Sequence, residues 1–177
     1  VWQQWLWEQI RERSPSLRSL LELGVALPNI AALAEQLALN RDVSLSFGSR
    51  PPGSPVAGFK KLAADTLDRL SLLSRHCRDS NDRGYSRILA LEEHWRFLRA
   101  ADGEVFARRL LQGFPVRVEG NRKNWDPGEA LVEVKSLLKS LKEETEKVRG
   151  EVLHDFTLRT AEWLARFVDY YGEEKKE

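Results

Sequence analysis

The stretch that decides the fold is DPGEALVEVKSLLKSLKEETEKVRGEV, residues 126–152. Leu131, Val134, Leu138, Leu141, Thr145, Val148 and Val152 step three and four residues apart in alternation, the spacing that lays one apolar seam along a helix. At its head, Asp126, Pro127 and Glu129 read as an N-cap, a first-turn proline and the glutamate of a capping box. A seam this short, with a threonine in it, suits an antiparallel neighbour inside the same bundle better than an intermolecular coiled coil. Gly150 is expected to kink or end the helix. Beyond it Phe156, Trp163, Phe167 and Tyr170 carry an apolar stripe to Gly172, and the tail EEKKE frays.

Helical spacing also governs most of the chain upstream. Three short helices are expected in the first forty residues. The first carries Trp2, Trp5, Leu6 and Ile10. The second is restarted by Ser14-Pro15, carries Leu17, Leu20 and Leu21, and stops at Gly24, since serine caps, proline suits the first turn and glycine ends helices. The third opens at Pro28 with Ile30, Leu33 and Leu37 on one face. The tryptophans read as core; an exposed apolar first helix, the alternative, would imply a partner. From Phe59 the period returns through Leu62, Ala63, Thr66, Leu70, Leu73 and Cys77, which makes Cys77 a buried structural thiol. After the polar turn DSNDRGY at 79–85 come a helix through Ile88, Leu91, Trp95 and Leu98, and a shorter one with Val105, Phe106 and Leu110.

Two stretches break the period. Val43, Leu45 and Phe47 alternate with polar residues, and Val116 and Val118 are candidates to pair with them as a minor two-stranded element. Pro51-Pro52-Gly53-Ser54-Pro55 continues neither period. The fold expected is therefore all-α, a helical bundle of about six or seven helices. It forms a single helical domain over 1–177, or one with an internal boundary at the Pro-rich loop 48–58.

Composition narrows the function. The 177 residues are 42% hydrophobic and 31% charged, as in a soluble globular protein, and no run is long and apolar enough to span a membrane. The single cysteine, Cys77, excludes an internal disulfide and a cysteine-rich zinc site, and three histidines leave few possible metal ligands. No phosphate loop, dinucleotide fingerprint, zinc-protease helix or nucleophile elbow occurs. Glu92-Glu93-His94 are adjacent on a helix and so point in different directions. No catalytic residue, cofactor or metal is expected, nor a small-molecule substrate, and a cytoplasmic location follows.

One arrangement resembles an enzyme family. HEPN ribonucleases are all-helical and pair an arginine with a histidine a few residues on, for charge stabilisation and proton transfer at a phosphate. Arg149–His154, Arg69–His76 and Arg87–His94 have comparable spacings. With nineteen arginines in the chain, each histidine has about a one-in-three chance of such a match. The polar residue that usually follows the arginine is replaced by Gly150, Leu70 and Ile88. Ribonuclease activity therefore stands as an alternative, with His154 as its test.

Charge placement carries more. Residues 1–40 hold three basic and four acidic side chains, residues 41–125 sixteen and ten, and residues 126–177 nine and thirteen. In the middle stretch thirteen of the sixteen are arginine, whose planar fork bonds two phosphate oxygens at once. The candidate contacts are Lys60, Lys61, Arg75, Arg78, Arg83 and Arg87, then Arg96, Arg99, Arg108 and Arg109, then Arg122 and Lys123. With no base-reading motif, they would follow a single-stranded DNA or RNA backbone.

A helical domain with this basic centre and acidic end resembles the small subunits of CRISPR effector complexes. Several of those are translated from within a large-subunit gene, which would account for a chain beginning at Val1. The resemblance implies a non-catalytic subunit of a nucleoprotein complex, stacked on protein neighbours, further copies of itself included. A protein scaffold without nucleic acid, using the Trp2/Trp5 face or the seam, is the other alternative.

Overall fold

A computed structural model describes residues 1–40 and 55–174. Among them the chain is all-α, with seven α-helices and no strand. They are α1 (Trp2–Arg11), α2 (Pro15–Glu22), α3 (Leu27–Leu39), α4 (Pro55–Ser74), α5 (Arg83–Arg99), α6 (Gly103–Gln112) and α7 (Gly128–Glu174), with a 3-10 turn at Arg122–Asn124. The residues gather into two compact units, Val1–Pro52 with Leu153–Glu177, and Gly53–Val152. The expected extended piece at Val43–Phe47, the proline-rich residues 51–54 and the last three residues of the tail lie outside the described residues. No described helix is long and apolar enough to cross a membrane.

The first unit is organised around Trp5. Its ring lies 4.9 Å from Trp163 and 5.2 Å from Phe167, centroid to centroid, and Trp2 meets Phe167 edge-on at 5.1 Å. Such offset and edge contacts are the favourable aromatic geometries. Leu17 and Leu20 of α2, Ile30, Ala34 and Ala38 of α3 and Leu164 of α7 complete the core. The Trp163 indole N–H donates to Gln9 Oε1 at 2.8 Å, which satisfies its polar edge. Ser14 caps α2 as expected, its hydroxyl accepting from Leu17 N. Gly24, at φ +81°, makes the turn toward α3. The buried face of α3 differs from the expected one: Leu33 is exposed, while Ala34 and Ala38 are buried. Alanine at those positions lets α1 and α3 pack closely.

In the second unit the heptad seam is core. None of its seven residues is more than 4% exposed, and the hydroxyl of Thr145 is satisfied by donating to Leu141 O at 2.6 Å. The same unit buries Phe59, Ala63, Leu67 and Leu70 of α4, Ile88, Leu91, Trp95 and Leu98 of α5, and Phe106 and Leu110 of α6. Phe59 stands edge-on to both Phe106 and Phe114.

Four local expectations need correcting. Helix α4 starts at Pro55 rather than at Phe59, with Val56 already buried. Helix α7 runs through Gly150 without a break. The capping box does not form. The Asp126 carboxylate pairs with Arg78 and the Glu129 carboxylate with Arg122, and α7 begins just past a cis Asp126–Pro127 bond. Val116 and Val118 lie in no strand: Val116 is buried and Val118 exposed. The one antiparallel bridge described joins Cys77 to Trp125, through Arg78 N to Asn124 O and Asp126 N to His76 O.

Candidate nucleic-acid interface

A buried aspartate caps the helix that carries Arg83, Arg87, Arg96 and Arg99 and holds the segment that carries Arg122 and Lys123. Asp82, 3% exposed, is the N-cap of α5. Its Oδ1 accepts from Gly84 N, Tyr85 N and the Trp125 indole at 2.8, 3.3 and 3.1 Å. Its Oδ2 accepts from Asn121 N and Asn124 Nδ2, both at 2.9 Å. Burial pushes the Asp82 carboxyl pKa up, but hydrogen bonds from Asn121, Asn124, Trp125 and Tyr85 outweigh it and hold the pKa below its ordinary value. The carboxylate thus ties the 119–125 segment to the start of α5. The approach is close. A Cβ on Gly84 would stand 2.8 Å from Glu119 O, and one on Gly120, at φ +128°, 2.7 Å from Leu131 Cδ1.

Half of the twelve candidate cations are engaged within the fold. Lys60 Nζ donates to Ala101 O at 2.8 Å and lies 4.6 Å over the Phe106 ring. Arg78 pairs with Asp126, Arg87 with Glu119 at 3.2 Å, and Arg122 with Glu129. Arg109 donates from Nη1 to Phe97 O at 2.8 Å, with its guanidinium 3.9 Å from the Phe97 ring centroid. Arg108 is half-buried and has a partner within the chain.

The remaining six, Lys61, Arg75, Arg83, Arg96, Arg99 and Lys123, are exposed, with no side-chain partner among the described residues. They do not form one stripe. On α4, Lys61 shares its face with Asp65 and Asp68, four and seven residues on, so that surface is mixed in charge. On α5, Arg96 and Arg99 are three residues apart and adjacent on the helix surface. They also sit in the last turn, where cations complement the helix dipole.

Several features of this unit escape the sequence reading. Phe97 of α5 is 59% exposed. It lines an open cleft of about 440 Å³ with Ala100, Ala101, Asp102, Val105 and Arg109. Asp102 occupies the N-cap position of α6, yet its carboxylate makes no cap bond. Arg117, another exposed cation, and Lys135, from the acidic C-terminal stretch, also have no partner among the described residues. Lys135 lines a polar cleft with Arg83 and Asn121. The capping role of Asp82 had a signal, since aspartate two residues before glycine at a helix start favours an N-cap. Exposure of Phe97 had one too, since it lies off the stripe of Ile88, Leu91, Trp95 and Leu98.

All three arginines of the arginine–histidine pairs, and two of the three histidines, are engaged elsewhere. Arg69 bonds Glu133 and His76 Nδ1 meets Asp126 O; Arg87 bonds Glu119 and His94 Nε2 meets Gly113 O. Arg149 donates to Leu111 O, and His154 is exposed. Cys77 is half-buried, its thiol donating to Asp79 O. Burial, with the negative charges of Asp82 and Asp79, pushes its pKa up despite that bond, which keeps it a poor nucleophile. Among the described residues no cluster of His, Cys, Asp or Glu is placed to hold a metal ion.

No protein-family model, curated protein or solved structure matches this chain.

Proposed function

We propose that the chain is a non-catalytic subunit of a nucleoprotein complex, which holds single-stranded DNA or RNA by its backbone through the Gly53–Val152 unit. The observation that carries the reading is the set of exposed cations with no side-chain partner among the described residues: Arg75, Arg83, Arg96, Arg99 and Lys123, with Arg117 beside them in the count and Lys61 offset by Asp65 and Asp68. An arginine already paired with a carboxylate must break that pair to bind a phosphate, whereas these are free to do so. Lys60, Arg78, Arg87, Arg109 and Arg122 rank behind them as phosphate ligands, because each must first give up a contact within the fold, to Ala101 O, Asp126, Glu119, Phe97 O and Glu129. The setting we propose is an assembly of the CRISPR effector kind.

A protein-binding role is favoured by a separate observation in the other unit. Trp7 of α1 is 71% exposed and Leu39 of α3 80%, with Ile10 and Leu33 also exposed. Exposed apolar side chains on α1 and α3 suit contact with protein neighbours, as a subunit of a larger complex requires.

Fluorescence anisotropy with labelled single-stranded DNA, single-stranded RNA and duplex tests the reading, at about 50 and about 200 mM salt. Binding of intact single strands that weakens steeply with salt supports it. Cut RNA would put the ribonuclease alternative first, and absence of binding at the lower salt would leave the protein scaffold.

A further inference from the structure

Exposure of a single apolar residue is ordinary, but Phe97 is not merely exposed. Arg109, from the next helix, is held over its ring by the bond to Phe97 O, so ring and guanidinium form one fixed π–cation pair. Beside that pair is a cleft walled by Ala100, Ala101 and Val105, small enough side chains to leave room for a flat ring. At its lip stands Asp102, whose carboxylate is not used to cap α6 and has no other partner among the described residues.

The geometry points to a nucleobase site: one base of a bound single strand enters the cleft and stacks on the Phe97–Arg109 pair, and Asp102 accepts a hydrogen bond from its exocyclic amine. Aromatic rings and guanidinium planes are the platforms on which single-stranded bases stack. A carboxylate accepts from the amino group of cytosine. On uracil the corresponding position is a carbonyl oxygen, which a carboxylate repels. The site therefore selects single strands over duplex, whose bases are unavailable for stacking, and cytosine over uracil. It rests on the proposed nucleic-acid role and gives that role a base-level preference which backbone contacts alone cannot supply.

The test uses the full chain and oligonucleotides of about eight cytidines or eight uridines. The wild type binds the cytidine oligomer about fivefold or more tightly over the uridine one. Phe97→Ala weakens both by about tenfold or more with the salt slope unchanged, and Phe97→Trp restores binding. Asp102→Ala leaves the uridine affinity in place and abolishes the preference. Salt-dependent binding that ignores Phe97→Ala and shows no base preference would overturn the platform while leaving the backbone role standing. No binding to any oligonucleotide would overturn both.

Discussion

Replacing Asp82 with alanine removes the cap of α5 and its tie to the 119–125 segment, and the cost can be worked from its bonds. Five donors converge on the carboxylate. Loss of the N-cap of α5 costs about 1 kcal/mol. The Trp125 indole, on a residue 4% exposed, is left as a buried donor at about 1–3 kcal/mol. Asn121 and Asn124, nearer the surface, recover water and add about 0.5 kcal/mol each. The expected loss is about 3–5 kcal/mol, a large share of a small domain's stability. Urea unfolding followed by circular dichroism reads it as a lowered midpoint. The pH dependence adds a second mark. The folded pKa of Asp82 is depressed, so its contribution is present above the unfolded value of about 4 and is lost as pH falls through the folded value. The gap between wild type and variant should thus be full at neutral pH and shrink in acid. A loss below about 1 kcal/mol, or a gap unchanged from pH 7 to well below pH 4, would refute the reasoning.

Other perturbations test the fold more briefly. Gly150→Ala should stabilise the chain by about 0.5–1 kcal/mol, because Gly150 lies inside a continuous helix with open space at its Cβ; a destabilised variant in thermal melts would mean the helix does not continue there. Trp5→Ala should cost about 3–5 kcal/mol and Trp7→Ala under about 0.5 kcal/mol, and equal effects in denaturant titrations would contradict the Trp5-centred core. Gly120→Ala combines a Cβ contact at 2.7 Å with φ +128° and should cost about 1–3 kcal/mol, read as a lower melting temperature; an unchanged melt would show that the 119–125 segment does not approach Leu131 so closely.

How much of this was legible in advance follows from the range of the forces involved. The seam from Leu131 to Val152 was readable because helical period is a local property, and the buried face came with it. The start of α4 is masked by Pro55, which closes a proline-rich run yet suits the first turn of a helix, so that Val56 already lies one turn before Phe59 on the buried face. Asp126 and Glu129 have the right spacing for a capping box, but Arg78 and Arg122, brought near by the fold, take their carboxylates. The site shows the same limit. Sequence counts arginines without showing which are spent, and only the packing of α4 against α5 and α6 puts Lys60 on the Ala101 carbonyl. Phe97 lies off the buried stripe of α5, so its exposure follows the helical period, but its pairing with Arg109 depends on where α6 packs.

The salt dependence of single-strand affinity tests the central claim most directly. It should be compared between the wild type, a variant with Arg83, Arg96, Arg99 and Lys123 all changed to alanine, and a control with Arg78 and Arg122 changed. Each phosphate contact contributes a slope of about 0.7 for a single strand. If the unpartnered cations hold the backbone, the first variant binds more weakly with a slope shallower by about 2–3, and the control keeps the wild-type slope. Equal slopes in all three proteins, or a loss in the control as large as in the first variant, would contradict it.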